Sequence, residues 1–180
     1  MLSRTLSNMS KTVFIGLGSN LNQPVQQILQ AIKRIKALSD VSLEDVSSLY
    51  ETPPMGPQGQ PHYINAVAKI TTTLEPLALL DALQTIETIQ GRTRESGRWG
   101  ARTLDLDILL YADKCSIDPK LTLPHPGLHL RSFVLYPLLE IDPQLDIPNL
   151  GSVQQLIERL NESSPCIISA ETLEKQPSVC

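Results

Sequence analysis

The order of residue patterns between positions 13 and 111 is the feature that most limits what this chain can fold into. Four segments there have the apolar runs or two-residue alternation of a strand, and two have the apolar spacing of a helix. The strands are predicted over Val13–Leu17, Val41–Tyr50, Tyr63–Thr72 and Leu104–Tyr111. One helical pattern follows the first strand and the other follows the third. The resulting β-α-β-β-α-β order is that of a ferredoxin-like α+β core.

Proline and glycine mark where the predicted helices start and stop. The first helix follows Pro24, and the second begins at Pro76 and ends at Gly91, because proline is favoured in the first turn of a helix and glycine just after the last. Two more helices are predicted over Arg131–Ile141 and Val153–Leu160. We therefore expect a ferredoxin-like core with additional C-terminal helices.

The length of the chain suggests one domain with short extensions. Of its 180 residues, 41% are hydrophobic and 19% are charged, which favours a packed core over a disordered chain. The domain is predicted over residues 12–162. Residues 1–11 carry serines and Arg4 but no acid; this faintly resembles a transit peptide, although a disordered extension is the simpler interpretation. Residues 163–180 are expected to form a tail.

Charge and cysteine content restrict the partners and the compartment. A net charge of −4 argues against general binding to nucleic acid or to a membrane surface, and no apolar run is as long as a membrane span. The three cysteines form no C-x-x-C pair, so neither a disulfide framework nor a zinc site is indicated. We expect a cytoplasmic monomer whose partners are small molecules.

The alternation of leucine and aspartate in the fourth predicted strand is the most informative local pattern. Side chains alternate between the faces of a strand, so Asp105 and Asp107 point one way while Leu106 and Ile108 point into the core. Two carboxylates about 7 Å apart repel each other unless a cation joins them, and magnesium binds such pairs together with phosphates and water. A solvent-facing edge strand is the alternative. Asp105 and Asp107 are therefore candidate magnesium ligands.

An arginine-rich loop comes directly before that strand. It contains Arg92, Arg94, Arg98 and Arg102, opposed only by Glu95. Guanidinium groups match phosphate oxygens in geometry and keep their charge, and the glycines of the loop would let it move as a lid. A solvated basic loop is the alternative. A triphosphate chelated by magnesium needs both the anions and the cations that these two segments supply.

Other residues suggest how a phosphate and a flat ring would be bound. His125 is fixed between two prolines and would reach a phosphate oxygen, although a single histidine is more often structural. Tyr63 and Asn65 share one face of the third strand, and the amide of Asn65 suits the edge of a heterocycle. The rings of Tyr63, Trp99 and Phe133 would sandwich such a ligand. Core packing is the alternative for Tyr63 and Phe133.

The glycines of Gly16-Leu17-Gly18 are interpreted as a tight turn after the first strand. No Gly-Lys-Ser/Thr follows them, so the segment is not a Walker-type loop, and it also fails the dinucleotide fingerprint.

Together these segments resemble the 6-hydroxymethyl-7,8-dihydropterin pyrophosphokinase family of folate biosynthesis. The resemblance covers residues 13–160. It is carried by Gly16–Leu21, Tyr50–Pro54, Tyr63–Ala66, Gly91–Asp107 and Pro124–Pro126 with Arg131–Leu135. The run from Arg98-Trp99-Gly100 to Asp105-Leu106-Asp107 is highly specific, whereas the glycine segment is not.

The resemblance implies an α+β ferredoxin-like core, two magnesium ions, and transfer of the β,γ-diphosphate of ATP to the hydroxymethyl group of the pterin with release of AMP. Asp105 and Asp107 would carry the metals and, with Arg92 and Arg102, form the catalytic set. The positions implied for ATP are Gln84, Glu87, Arg92, Arg94, Trp99, Arg102, Ile108, Lys120, Thr122, His125 and Arg131. Those implied for the pterin are Thr52, Pro53, Met55, Tyr63, Asn65, Trp99 and Phe133.

Two residues depart from the family pattern. Ala101 stands where a proline is usual, so a looser loop is expected, and Glu95 places an acid among the arginines.

A binding module without catalysis is the alternative class of function. RNA-recognition domains share the β-α-β-β-α-β order but need aromatic residues on their central strands, which the segment 63–68 lacks. A ligand-sensing domain would not need the two acids and the arginines together.

Overall fold

The computed structural model describes residues 9–55, 59–92 and 100–169. Its helices are α1 (Pro24–Lys36), α2 (Pro76–Ile89), α3 (Ser132–Ile141) and α4 (Val153–Leu160), with a 3₁₀ helix over Leu128–Leu130. Its strands are β1 (Lys11–Ser19), β2 (Val41–Val46), β3 (Tyr50–Thr52), β4 (Tyr63–Thr72), β5 (Asp105–Tyr111), β6 (Ser116–Asp118), β7 (Leu121–Leu123), β8 (Asp146–Ile147), β9 (Gly151–Ser152) and β10 (Cys166–Ile167). Within these ranges, none of the helices is long and apolar enough to cross a membrane.

Six strands form one antiparallel sheet at the centre of the molecule. Their order is β10-β3-β4-β1-β5, and β2 pairs with β4 as well. The core strands therefore run β5, β1, β4 and then β2 with β3, which is the ferredoxin-like order. This confirms the predicted fold class.

Alternation along β1 divides the core between the two faces of the sheet. Val13, Ile15 and Leu17 are buried against α1 and α2, whereas Phe14 is buried on the other face with α3 and α4. Burying an aliphatic or aromatic side chain of this size contributes about 1.5–3 kcal/mol. Because both faces are covered, the cleft described below lies at one end of the central strands.

The predicted helix ends agree with the structure. α2 begins at Pro76 and ends at Ile89, and Gly91, two residues further on, has φ of 81°. This left-handed conformation is costly for residues with a Cβ atom. It turns the chain from α2 toward Arg92.

The strand predicted over Val41–Tyr50 is interrupted at Ser47. β2 ends at Val46, and the Ser47 N–H then donates to the carbonyl oxygen of Val67 at 2.9 Å. The Ser47 hydroxyl accepts from the Val67 N–H at 2.9 Å, taking a bond that a backbone carbonyl would otherwise accept. A side chain thus replaces part of the ladder, and pairing resumes at Tyr50.

Strand pairs lie at both of the predicted domain ends. Lys11, the last residue of the predicted extension, pairs with Thr72. Within the predicted tail, Cys166 and Ile167 form β10 at the edge of β3. Residues 1–8 and 170–180 lie outside the described residues.

Candidate active site

β5 turns two carboxylates toward one side of the sheet. Leu106 and Ile108 are only 3% and 2% exposed, while Asp105 and Asp107 line an open cleft on the opposite face of the strand. This is the alternation that the sequence predicts, and it brings the two candidate metal ligands to one surface.

The neighbouring strand supplies glycine opposite each aspartate. Gly16 pairs with Asp107 and Gly18 with Asp105, so both glycines lie within β1 rather than in the turn that was predicted. A Cβ atom on Gly18 would be 3.3 Å from Oδ1 of Asn65 and 3.9 Å from Cβ of Asp105. The glycines therefore keep the floor of the cleft free of side chains.

Asp105 forms ion pairs with arginines from both ends of the arginine-rich segment. Nη1 of Arg92 lies 2.8 Å from one carboxylate oxygen, and Nη1 of Arg102 lies 2.5 Å from the other. Each of the three side chains is 22% exposed, so these pairs are partly shielded from water.

Glu87 is a buried carboxylate beneath these pairs. It is 3% exposed, accepts from the Leu106 N–H at 2.7 Å and forms an ion pair with Arg92. Burial raises the pKa of Glu87 above its usual value, and the hydrogen bond from Leu106 and the charge of Arg92 act against that rise. Glu87 thus joins α2 to β5 and holds Arg92 at the cleft.

His125 is fixed beside the second aspartate. The backbone N–H of His125 donates to the carbonyl oxygen of Leu109 at 2.9 Å, and its ring Nδ1 accepts from the backbone N–H of Gly127 at 3.1 Å. Burial and the charge of Arg131 lower the pKa of His125 to about 4, so the ring is neutral near pH 7. Because Nδ1 is an acceptor, the proton lies on Nε2, which is 3.8 Å from Asp107 Oδ2. Nε2 is therefore a neutral donor facing the cleft.

Asp107 differs from Asp105 in its electrostatic surroundings. Partial burial of the carboxylate and the negative charge of Asp105 both raise the pKa of Asp107, and the positive charges of Arg131 and Arg92 oppose this rise. The side chain nevertheless keeps 41% of its surface accessible through the cleft. A cation arriving in the cleft would relieve the repulsion between the two carboxylates.

The first of two adjoining cavities has a volume of about 300 Å³, the size of a small-ligand site. Its lining includes the described positions that the resemblance implies for the pterin: Thr52, Pro53, Met55, Tyr63, Asn65 and Phe133. Asn65 donates to Oγ1 of Thr52 at 2.9 Å, and the hydroxyl of Tyr63 donates to the carbonyl oxygen of Gly100 at 2.9 Å.

The second cavity, of about 450 Å³, lies beside α2 and β7. Its lining includes most described positions that the resemblance implies for ATP: Gln84, Glu87, Arg92, Arg102, Ile108, Lys120, Thr122 and His125. Arg102, Asp107 and His125 line both cavities, so the two volumes meet at these side chains.

One of the described positions implied for ATP is absent from the lining of the second cavity. Arg131 lines the first cavity instead, because its guanidinium packs against Gly127, where a Cβ atom would be 2.8 Å from Cζ. Arg94 and Trp99 lie outside the described residues.

Asn20 is a residue of the site that the sequence analysis did not identify. It is 2% exposed and its Oδ1 accepts from the Arg102 N–H at 2.7 Å, while its own N–H donates to the Arg102 carbonyl at 3.0 Å. Its Nδ2 donates to the carbonyl oxygen of Pro61 at 3.2 Å. The available signal was a polar residue two positions after Gly18, but its partners are distant in sequence.

The sequence matches a known protein family. Residues 14–143 match the model of the family described as 7,8-dihydro-6-hydroxymethylpterin-pyrophosphokinase (HPPK). The chain belongs to this family. A relative from Haemophilus influenzae, named 2-amino-4-hydroxy-6-hydroxymethyldihydropteridine pyrophosphokinase, is 52% identical over 148 residues, which cover 82% of this chain and 92% of that protein.

Longer proteins contain a similar region. The Schizosaccharomyces pombe protein named Folic acid synthesis protein fol1 is 41% identical over 155 residues, which are 86% of this chain and 21% of that protein. A crystal structure of wild-type Plasmodium falciparum HPPK-DHPS has a TM-score of 0.63 at 14% identity, covering 84% of this chain and 45% of that one. The structural likeness supports the fold, and the sequence matches place this member of the HPPK family among the pyrophosphokinases of folate biosynthesis.

Proposed function

We propose that this chain transfers the diphosphate of ATP to the hydroxymethyl group of 6-hydroxymethyl-7,8-dihydropterin and releases AMP. In this reaction the hydroxyl oxygen of the pterin bonds to the β-phosphorus of ATP and loses its proton. The bond between the β-phosphorus and the oxygen that bridges it to the α-phosphate breaks, and that oxygen leaves with AMP. The observation that carries the proposal is that two cavities of suitable size meet at Arg102, Asp107 and His125. The pterin would occupy the first cavity and ATP the second.

Asp105 and Asp107 fit a magnesium site that is completed by substrate. Among the described residues, no group of three or more histidine, cysteine, aspartate or glutamate side chains is arranged to hold a metal. Two carboxylates alone suit magnesium, which often takes one or two protein carboxylates and fills its remaining positions with phosphate oxygens and water. Two bound magnesium ions would neutralise charge on the phosphates.

The arginines would bind the phosphates by exchanging partners. In the free protein Asp105 pairs with Arg92 and Arg102. If that carboxylate binds magnesium, both guanidinium groups become available to phosphate oxygens, for which their geometry is suited. Arg92 and Arg102 stand at the two ends of the segment that we propose acts as an arginine-rich lid. Arg94 and Trp99 belong to its part outside the described residues.

His125 and the first cavity would orient the two substrates. The neutral imidazole ring of His125 would donate from Nε2 to a phosphate oxygen without adding charge. Asn65 and Thr52, already joined by a hydrogen bond, would face the polar edge of the pterin, and Phe133 would contact its ring. Holding the hydroxymethyl oxygen near the β-phosphorus supplies the proximity that speeds a two-substrate reaction.

The test is to measure AMP formation from ATP by purified protein, with and without the hydroxymethyl pterin and with and without magnesium. We expect AMP to form only when both are present. ADP as the product, or AMP at a rate that does not depend on the pterin, would contradict the proposal. Calorimetric titration with magnesium-ATP and with RNA separates this reading from the binding module. We expect magnesium-ATP to bind and RNA not to bind. We also propose that the protein is a monomer and acts in the cytoplasm.

A further inference from the structure

Glu140, at the C-terminal end of α3, accepts hydrogen bonds from the chain segment that leads into β3. Its two carboxylate oxygens each lie 3.0 Å from the backbone nitrogen of Ser48. One oxygen also accepts from the Ser48 hydroxyl at 2.7 Å, and the other accepts from the hydroxyl of Tyr50 at 2.7 Å. Glu140 itself is exposed, whereas Tyr50 is 3% exposed.

These bonds connect two elements that both line the first cavity. β3 carries Thr52, whose side chain lies on the same face of the strand as that of Tyr50. α3 carries Phe133 at its first turn. Both Thr52 and Phe133 line the cavity. The separation between these two side chains therefore depends on how the end of α3 is attached to the start of β3.

β3 is a short strand near the edge of the sheet. It is three residues long, follows the break in pairing at Ser47, and leads directly into a proline-rich loop over residues 53–61. β4 pairs with it on its inner side, and on its outer side, among the described residues, it pairs with the two residues of β10. A carboxylate that accepts from both a backbone N–H and two hydroxyls is a strong local attachment, because charged acceptors form stronger hydrogen bonds than neutral ones.

We propose that Glu140 is a positioning residue for the pterin: by attaching α3 to Ser48 and Tyr50, it sets the distance between Thr52 and Phe133. The inference deepens the proposed function and rests on it, since it assumes that the first cavity binds the pterin. Glu140 does not line either cavity itself. Its effect would therefore be transmitted through β3, and would act on the pterin rather than on ATP.

Asp142 provides a matched comparison. It is two residues further along, just after the same helix, and its carboxylate forms an ion pair with Lys69 at 2.8 Å. The ammonium group of Lys69 also lies 5.5 Å from the centre of the Phe14 ring. Neither Lys69 nor Phe14 lines the first cavity. Removing Asp142 should therefore disturb the end of α3 without changing the support of β3.

The experiment compares Glu140→Ala, Glu140→Gln, Tyr50→Phe and Asp142→Ala. For each protein, affinities for the pterin and for a magnesium complex of a non-hydrolysable ATP analogue are measured by calorimetry. Hydrogen exchange of the amides of residues 50–52 is measured in the absence of ligand. We expect Glu140→Ala to weaken pterin binding about tenfold, because small misplacements of binding groups are costly, with the ATP analogue affected less than twofold.

The other variants sharpen this expectation. Glu140→Gln keeps an acceptor oxygen and should restore part of the affinity, and Tyr50→Phe should cause a smaller loss in the same direction. Asp142→Ala should leave pterin affinity and exchange in β3 unchanged. If Glu140→Ala does not fold, Tyr50→Phe, which removes a single hydroxyl, decides the question.

If the wild type binds the pterin, two results would overturn the inference: equal losses for both ligands, or unchanged exchange at residues 50–52 in Glu140→Ala. The exchange measurement does not involve the pterin. If wild-type protein fails to bind the pterin while exchange still rises in Glu140→Ala, the proposed function fails and the attachment of β3 stands; the role assigned to Glu140 in pterin binding is then overturned with it.

Discussion

Asp105 and Asp107 are the same residue type, two positions apart on one strand, yet the folded protein gives them different surroundings. Asp105 is paired with two arginines at 2.8 and 2.5 Å. Asp107 has the neutral ring of His125 at 3.8 Å and the charge of Asp105 beside it. The first carboxylate therefore has opposite charges in direct contact, whereas the second carries a cost when ionised.

We predict that Asp107→Asn abolishes turnover and stabilises the free protein. The pKa of Asp107 is raised in the folded state, so its ionised form disfavours folding above that pKa, and protonation removes the cost as the pH falls toward the ordinary value of 3.8. The variant should be more stable than the wild type by about 1 kcal/mol near pH 8, a modest figure because water reaches the side chain. The difference should disappear on acidification, as measured by denaturant titration across pH.

The matched control for this change is Asp113→Asn. Asp113 is exposed in the turn after β5, and its substitution should leave turnover and stability unchanged. Near-normal magnesium-dependent turnover in Asp107→Asn would refute the assignment of Asp107 as a metal ligand.

We predict that Asn20→Ala lowers stability by about 1–3 kcal/mol, the cost of leaving a buried backbone donor unpaired. The donor is the N–H of Arg102, which Asn20 accepts at 2.7 Å. Because Asn20 also contacts Pro61 at the end of the proline-rich loop, both ligands should bind more weakly. Chemical denaturation and calorimetry measure the two effects. Gln30→Ala, on the exposed side of α1, is the control, and equal behaviour of the two variants would exclude a role for Asn20.

At the level of elements, β3 is notable for being short and yet supported from several directions. β4 pairs with it on one side and β10 on the other, and α3 packs across it. The pairing with β10 is extended by the N–H of Ile168, which donates to the carbonyl oxygen of Leu49 at 2.8 Å. A strand of three residues thus acquires its order from its neighbours rather than from its own length.

We predict that a chain ending at Ser163 is less stable than a chain ending at Ser169 by about 1–3 kcal/mol, because it lacks β10 and the partly buried Ile168. Comparing these two truncations, rather than one truncation with the full chain, isolates the contribution of residues 164–169. Denaturant titration gives the free energy of unfolding of each. Identical values would mean that β10 contributes nothing to the stability of the sheet.

On the scale of the whole molecule, the two cavities share a wall. Arg102, Asp107 and His125 line both of them, and Arg102 is held by Asp105 in the free protein. A ligand that reorganises these side chains in one cavity therefore changes the surface presented to the other. The two binding events are expected to be coupled.

We predict that the magnesium complex of a non-hydrolysable ATP analogue raises the affinity for the pterin by roughly 5–150-fold, the usual range for coupled sites. The physical reason is that the first ligand orders the shared side chains, so the second ligand does not bear that entropic cost. Calorimetry in both orders of addition measures the coupling. Thermodynamics requires the same factor in each order, which is an internal control, and a factor of one would show that the shared wall does not couple the sites.

The sequence by itself determined the features that depend on local periodicity. The alternation in β5 placed Asp105 and Asp107 on one face, and proline and glycine marked the ends of α2. The order of elements followed from the same patterns, because the spacing of apolar residues reflects which side of a helix or strand is buried. The fold class and the family resemblance were therefore available before any tertiary structure.

The tertiary structure decided which residues meet when their separation along the chain is large. Asn20 bonds to Arg102 across 82 positions and Ser48 to Glu140 across 92, and no local pattern specifies either contact. The glycines opposite the aspartates looked like a turn because a short apolar run before two glycines does not show where a strand ends; only the register of β1 against β5 does. Strand pairing and packing across the sheet are set by the whole fold, so the cleft, its floor and its supports could be seen only there.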